Sequence, residues 1–344
     1  MKKELISVLN SINKKFGENA VTVGAGDTLE VKRIPTGSIS LDIALGGGIP
    51  MGRYTQINGA YSSSKTTQAL HILREAQKMG LVCALIDAEG TTDDLYLNQL
   101  GINTEELVYC RPEGLEEATE ILVQLQTSGE VQFAILDSIG ALEPTKVLDS
   151  RMDETNQMGI KPKLLGEYFN KFQAHNNKLT RTGKTPFTLI AINQLREKIG
   201  AYGDPEYTPG GRAKDFTASV DIRLRRGDWI AEGTGDNKEL VGQIVKFKIE
   251  KNKTYKRMQT GEFDFYYAEN DLNIPVGFND NERSIIKEAV AWGLITRGGA
   301  WFYLDEAKTE KFQGLDSVVE FLRQNPERVQ KLKEEILELA KSTN

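Results

Sequence analysis

Lys65 and Thr66 follow a small-residue segment, Gly59-Ala60-Tyr61-Ser62-Ser63-Ser64. A short strand-like run, Tyr54 to Ile57, precedes it, and Leu70, Ile72, Leu73 and Ala76 recur after it at roughly helical spacing. Strand, loop, Lys-Thr and helix make a phosphate-binding P-loop. Such a loop aims successive backbone N–H groups at an anion, and the helix N-terminus adds partial positive charge. Lys65 supplies a mobile point charge for the outer phosphates. The hydroxyl of Thr66 can ligate Mg²⁺. The candidate nucleotide-binding residues are therefore Gly59, Ser62, Ser63, Ser64, Lys65, Thr66 and Thr67. One position departs from G-x-x-x-x-G-K-[ST]: Ser64 stands where glycine belongs. Serine donates the same backbone N–H, so the cradle survives if the local dihedrals suit a residue with a Cβ. The plain alternative is a Ser-rich turn capping a helix; the strand before and the helix after favour the cradle.

Three more polar residues end apolar runs. Residues 81–86 lead to Asp87-Ala88-Glu89, residues 132–136 to Asp137-Ser138, and residues 187–192 to Asn193-Gln194. Continuous apolar runs are typical of strands buried on both faces. Helical segments at 68–79, 116–126 and 164–179 separate them. This alternation predicts an α/β domain with a parallel sheet. Ligands of such sheets sit beyond the carboxyl ends of the strands, so Glu89, Asp137 and Gln194 should converge on the P-loop. Asp137 is then the Walker B carboxylate, holding Mg²⁺ through a water or through Thr66. Glu89 is a candidate base for the attacking water, and Gln194 can sense the γ-phosphate. For Asp137 a simple strand-end cap is the competing reading.

Residues 146–160 and 195–213 resist regular structure. Long loops in a compact domain are usually functional or disordered. The second starts directly after Gln194 and holds Arg196, Lys198, Gly210, Gly211 and Arg212, which suit phosphate contacts. Val220, Ile222 and Leu224 then alternate with Asp221, Arg223 and Arg225, predicting a strand with one solvated face. Residues 241–250 alternate similarly, and a basic run reaches Lys251, Lys253 and Arg257. From about residue 270, helical stretches around Trp301-Phe302-Tyr303-Leu304 and a final helix suggest a small α+β domain. At the other end, Leu5, Ile6, Leu9, Ile12 and Phe16 give residues 2–16 an amphipathic face. Packing on its own domain and docking on a neighbouring subunit remain equal alternatives for that helix.

The 344 residues suggest roughly two domains. Hydrophobic content of 39% and charged content of 27% are those of a soluble globular protein. No run of about 18 apolar residues predicts a membrane span, and the N-terminus lacks a signal-peptide core. Cys83 and Cys110 have no metal spacing and suggest a reducing cytoplasm. With only two histidines, His-based catalysis is not expected. The net charge of −6 argues against a protein coated in positive charge, but leaves room for basic loops that bind nucleic acid.

At this point the chain resembles the bacterial RecA recombinase family over nearly its whole length. The resemblance is carried by Thr36-Gly37-Ser38-Ile39-Ser40-Leu41-Asp42, the P-loop ending Lys65-Thr66-Thr67, Ile86-Asp87-Ala88-Glu89, Leu136-Asp137-Ser138, Ile192-Asn193-Gln194-Leu195-Arg196, Lys198-Ile199-Gly200 and Lys251-Asn252-Lys253. It implies a RecA-like P-loop ATPase core (34–268) with a mostly parallel sheet, an N-terminal polymerisation arm (1–33) and a small α+β C-terminal domain (269–344). It implies that Glu89 is the catalytic glutamate and Gln194 the relay from nucleotide to DNA. Asp93 and Tyr96 match contacts to the adenine side. Residues 148–159 and 195–211 match two DNA-binding loops, with Met158 and Ile199 wedging between bases and Gly159 closing the first loop. Lys163 matches a basic DNA contact, whereas the next such position on that helix is Asn170. Lys251 and Lys253 match a pair that reaches a neighbouring subunit's ATP, and Phe216 a subunit-interface aromatic.

There are departures. Ala60-Tyr61 replaces the usual Pro-Glu, Ser64 replaces glycine, the second loop is slightly shorter, and the chain stops at Lys341-Ser342-Thr343-Asn344 without the family's acidic tail. They fit a divergent member, a phage-encoded one included. The expectation is a cytoplasmic, ATP- and Mg²⁺-dependent recombinase that polymerises on single-stranded DNA and pairs it with homologous duplex. The alternatives are a filament protein that coats DNA with little hydrolysis, and a P-loop kinase or transporter ATPase.

Overall fold

The computed structural model describes residues 3–17, 19–23, 30–149, 159–197, 206–305 and 307–342. Met158, Lys198 and Ile199 lie outside the described residues. The apolar runs form strands of one nine-stranded sheet: β1 (Tyr54–Gly59), β2 (Cys83–Asp87), β3 (Val108–Cys110), β4 (Phe133–Asp137), β5 (Thr188–Gln194), β6 (Val220–Glu232), β7 (Glu239–Asn252), β8 (Thr260–Tyr266) and β9 (Phe278–Asn279). Their order across the sheet is β9-β8-β7-β6-β1-β5-β4-β2-β3. From β6 to β3 neighbouring strands are parallel. The β7, β8 and β9 edge is antiparallel. Every residue of β1 is buried, as expected for a central parallel strand covered on both faces.

Helices supply that cover. The P-loop helix, Lys65–Lys78, turns Leu70, Ile72 and Leu73 onto one face, against Ile57, Ile135 and Ile190. Helices Leu115–Ser128 and Ile160–Arg181 cover the other, where Leu122, Phe169 and Phe172 pack on Ala134 and Leu189. Tyr54 stacks on Phe169 with ring centroids 4.5 Å apart. Buried Asn176 donates to the carbonyls of Gly52 (2.9 Å) and Phe187 (2.8 Å), tying the start of β1 to the start of β5.

The alternation at 220–225 predicts a strand with a solvated face; Val220, Ile222 and Leu224 are buried and Arg225 is exposed, but Asp221 and Arg223 are only partly exposed. Asp221 accepts a 2.6 Å hydrogen bond from Asn58. Arg223 lies between Glu206 (3.0 Å) and Glu250 (3.2 Å). The segment returning from the second loop and the neighbouring strand cover this face in part, at Asp221 and Arg223, which strand periodicity alone does not register.

The N-terminal helix, Lys3–Phe16, buries none of its residues; Leu5 is 46% and Phe16 60% exposed. Among the described residues, none buries its apolar face. At the other end, helices Asn281–Ala291, Leu315–Gln324 and Pro326–Ser342 surround a three-stranded antiparallel sheet. Ile285, Phe302, Val318, Leu322 and Ile336 form their shared core, which Ile39 and Ile43 join from the helix Ile39–Leu45. Lys333 fastens this unit to buried Asp42 at 2.8 Å.

His71 connects the P-loop helix to the strand at 278. Its Nε2 lies 2.8 Å from the Gly277 carbonyl, and its ring meets Phe278 edge-on at 5.2 Å. Burial, then the charge of Arg74, lowers its pKa from 6.5 to about 4. Between those values the unfolded chain binds the extra proton, so the stabilisation is complete above pH 6.5 and is lost as pH falls towards 4. Denaturant titrations at pH 7 and pH 4.5 should show the wild type losing on the order of 2 kcal/mol more than His71→Gln over that interval. Equal losses in both proteins would exonerate His71.

Candidate functional site

Parallel register brings the candidate residues to one edge of the sheet. Gly59 of β1 is level with Gln194 of β5, and Asp87 of β2 with Asp137 of β4. The loop after β1 requires glycine at its first position: a Cβ on Gly59 would stand 2.4 Å from Ser63 Oγ and 2.6 Å from the Leu224 carbonyl oxygen. Ser63 is buried and donates to the Ala60 carbonyl at 2.8 Å. Ser62 and Ser64 take positive φ, 56° and 61°. Ser64 occupies the N-cap position of the helix but makes no side-chain capping bond, so the Ser-rich-cap alternative lacks its defining contact.

Lys65 reaches back across its own loop to the Ala60 carbonyl, 2.7 Å away. Burial lowers its pKa, against the pull of Asp137 and Glu89. Thr66 Oγ1 donates to Asp137 Oδ2 at 2.7 Å. Burial chiefly, with the charges of Glu89 and Asp87, raises Asp137 to about 6 despite that hydrogen bond. Its other oxygen, Oδ1, is buried with no hydrogen-bond partner among the described residues. A hydroxyl and a carboxylate with a spare oxygen form a hard-oxygen donor set that fits Mg²⁺.

Glu89 lies beside this pair. Its Oε1 accepts from Ser138 Oγ (2.6 Å) and from the amide of Gln194 (3.1 Å). Thr67 and Tyr96 share a 3.0 Å hydroxyl contact. Asp93 accepts from Leu95 N–H at 3.2 Å, capping the helix Asp94–Gln99.

The candidate DNA-contacting residues gather around β5 and the start of helix Ile160–Arg181. Asn193, next to Gln194 and buried, donates to the Pro209 carbonyl at 2.8 Å, so the returning segment is anchored beside the strand end. Gly211, with φ +81°, presses on Pro162: a Cβ would come within 2.8 Å of the proline ring. Gly159, also at positive φ, starts that same helix, and Gly210 is buried just before Gly211. Lys163, Arg196 and Arg212 are exposed. The end of the second predicted loop thus meets the first turn of the helix that follows the first.

Lys251 and Lys253 are not brought to the P-loop of their own chain. Lys251 pairs through Asp221 with Gln56, three residues before Gly59, or about 10 Å along the strand. Lys251 Nζ donates to the carbonyls of Asp215 and Phe216 (3.2 Å for the latter), and Lys253 Nζ to that of Phe216 (3.0 Å). Phe216 itself is 72% exposed.

Sequence reasoning assigned no role to three residues that hold this site. Ser138 carries a signal, its place directly after the Walker B aspartate. Asn193 carries a weaker one, its place before Gln194. Gln243 carries none: it touches the P-loop from 179 residues away.

Against known families, residues 3–271 match the model of the RecA N-terminal domain, and residues 283–341 that of the RecA C-terminal domain. Protein RecA of Aquifex pyrophilus is 39% identical over 98% of this chain and 92% of its own length. Protein RecA of Thermus aquaticus is 38% identical over 98% and 95%, and that of Cutibacterium acnes 37% over 97% and 91%. On this evidence the chain belongs to the RecA family of ATP-dependent DNA recombinases.

Proposed function

We propose that the protein polymerises on single-stranded DNA with ATP and Mg²⁺ between subunits, and pairs that strand with homologous duplex. The observation that carries this reading is the 3.1 Å hydrogen bond from Gln194 to Glu89. It links the candidate base directly to the residue that opens the second DNA loop. In this reading residues 1–33 are the polymerisation arm, 34–268 the ATPase core with both DNA loops, and 269–344 a small closing domain. The uncovered apolar face of Lys3–Phe16 supports the arm. The place of action is the cytoplasm.

Each residue's task follows from its chemistry. Backbone N–H groups of 62–66 cradle phosphate, and Lys65 moves from the Ala60 carbonyl to the outer phosphates. Thr66 and Asp137 would hold Mg²⁺, which, when bound, offsets charge on the phosphate oxygens. Glu89 orients and deprotonates the attacking water; Ser138 and Gln194 hold its carboxylate in place. Asp93 and Tyr96 flank the adenine. Gly159, Lys163, Arg196, Gly210, Gly211 and Arg212, with Met158, Lys198 and Ile199, contact DNA through phosphates and apolar wedges, which suits sequence-independent binding. Lys251 and Lys253 act in trans at the neighbour's γ-phosphate, in keeping with their seat away from their own P-loop.

ATP hydrolysis titrated with single-stranded DNA tests the whole reading. A strong rise is expected; a DNA-independent rate would favour a kinase or transporter ATPase. Lys65→Ala should lose nucleotide binding, measured directly with a fluorescent ATP analogue, and unchanged affinity would remove the P-loop assignment. Glu89→Gln should lower hydrolysis by about 10²-fold or more while DNA-bound filaments persist by electron microscopy, the usual scale for a lost general base; hydrolysis at the wild-type rate would reject its role. The double variant Lys251→Ala/Lys253→Ala should bind nucleotide yet lose DNA-stimulated hydrolysis. Mixed filaments of that variant with Glu89→Gln should regain part of it at junctions of the right polarity. A mixture that co-assembles on DNA but stays inactive would refute the trans arrangement.

A further inference from the structure

Ser64 raises a question that the P-loop pattern does not answer: what holds a serine in glycine's conformation. Its backbone is left-handed, φ 61° and ψ 25°. Glycine adopts this region freely, whereas a Cβ crowds the following carbonyl there. Ser62, two residues earlier, is left-handed too, with φ 56°. Two non-glycine residues in one short loop need support from outside it.

Gln243 provides that support. It lies in β7, only 5% exposed. Its Nε2 donates to Ser64 Oγ at 2.8 Å and to the Ser62 carbonyl at 3.2 Å. One amide thus grips the loop at both left-handed residues. The Ser64 hydroxyl, which caps nothing in its own helix, serves as an acceptor for this contact. The second contact sets a direction. In a planar trans peptide the carbonyl and the next N–H point opposite ways. Holding the Ser62 carbonyl towards β7 therefore turns the Ser63 N–H away from β7.

We propose that Gln243 is a positioning residue for the nucleotide, and that Ser64 and Gln243 work as a unit in place of the glycine of the P-loop pattern. The inference rests on the P-loop reading above. Gln243 does not touch phosphate in this scheme; it presets the loop so that binding does not have to order it. Serine at 64 makes the clamp matter most, because with glycine there Ser62 alone would be left-handed with a Cβ.

The test measures binding of a fluorescent ATP analogue with Mg²⁺ to the full chain, without DNA. The proteins are wild type, Gln243→Ala, Ser64→Gly, the Gln243→Ala/Ser64→Gly double variant and Lys65→Ala. Gln243→Met, which keeps length and burial but has no donor, stands in if the alanine variant folds poorly. Losing the clamp should weaken binding about 3- to 10-fold with serine at 64, the scale of one or two net hydrogen bonds. With glycine at 64 the same change should cost less than about 2-fold. Rescue from residue 64 is a result that a merely structural role for Gln243 in β7 would not give. Wild-type affinity in both Gln243→Ala and Gln243→Met, or the same loss with glycine as with serine, would overturn the clamp. Lys65→Ala separates the two levels. If it loses binding while the Gln243 variants do not, only the clamp fails; if it binds normally, the P-loop reading fails as well.

Discussion

The hydrogen bond from Thr66 to Asp137, 2.7 Å, is the contact around which this molecule is arranged. It joins the first turn of the P-loop helix to the end of β4, two strands away from β1 in the sheet. A parallel sheet makes this possible because its strands finish together on one edge. Helices on both faces favour apolar strands, so charged groups gather where the strands end, although β1 also buries Thr55, Gln56 and Asn58 within its length. Asp87, Asp137 and Gln194 stand at those ends, and Glu89 two residues beyond one of them.

Concentrating charge at that edge has an electrostatic cost that shapes the site. Asp137 is drawn towards neutrality by burial and by neighbouring carboxylates. Burial draws Lys65 towards neutrality as well, and the carboxylates oppose it. A lysine and a set of acids that are partly desolvated together are well matched to a charged ligand carrying both phosphate and a divalent cation. Lys65 sits on a loop carbonyl, a partner that a phosphate oxygen would better with its charge.

In the proposed function, the same edge also carries the link to nucleic acid. Asn193 and Gln194 are neighbours in one strand, so their side chains leave on opposite faces. Asn193 holds the segment that returns from the second loop, and Gln194 holds Glu89. In the proposed function, a shift in that loop would reach the candidate base through the end of this one strand. The lysine pair is seated three residues back along the sheet and held on backbone carbonyls beside an exposed phenylalanine, a placement suited to a surface that meets another subunit.

The chemistry was legible in the sequence where it is local. Lys65 and Thr66 follow their strand within a few residues, and Glu89, Asp137 and Gln194 each terminate or closely follow an apolar run; strand periodicity and sheet logic were enough to bring them together. The alternation at 220–225 gave the buried face but not the partial cover of Asp221 and Arg223, because it reports one strand and their partners lie in segments distant in the chain. The seat of Lys251 away from its own P-loop depends on the register of three strands, which composition does not encode. The conformation of Ser64 was equally out of reach. Sequence established that a serine stands where glycine is usual; whether it could take a left-handed backbone depended on Gln243, 179 residues away. Local pattern determined which groups are present and which strand end carries them. Tertiary packing alone decided which of them touch, because hydrogen-bond partners across a sheet are chosen by register and burial rather than by proximity in the chain.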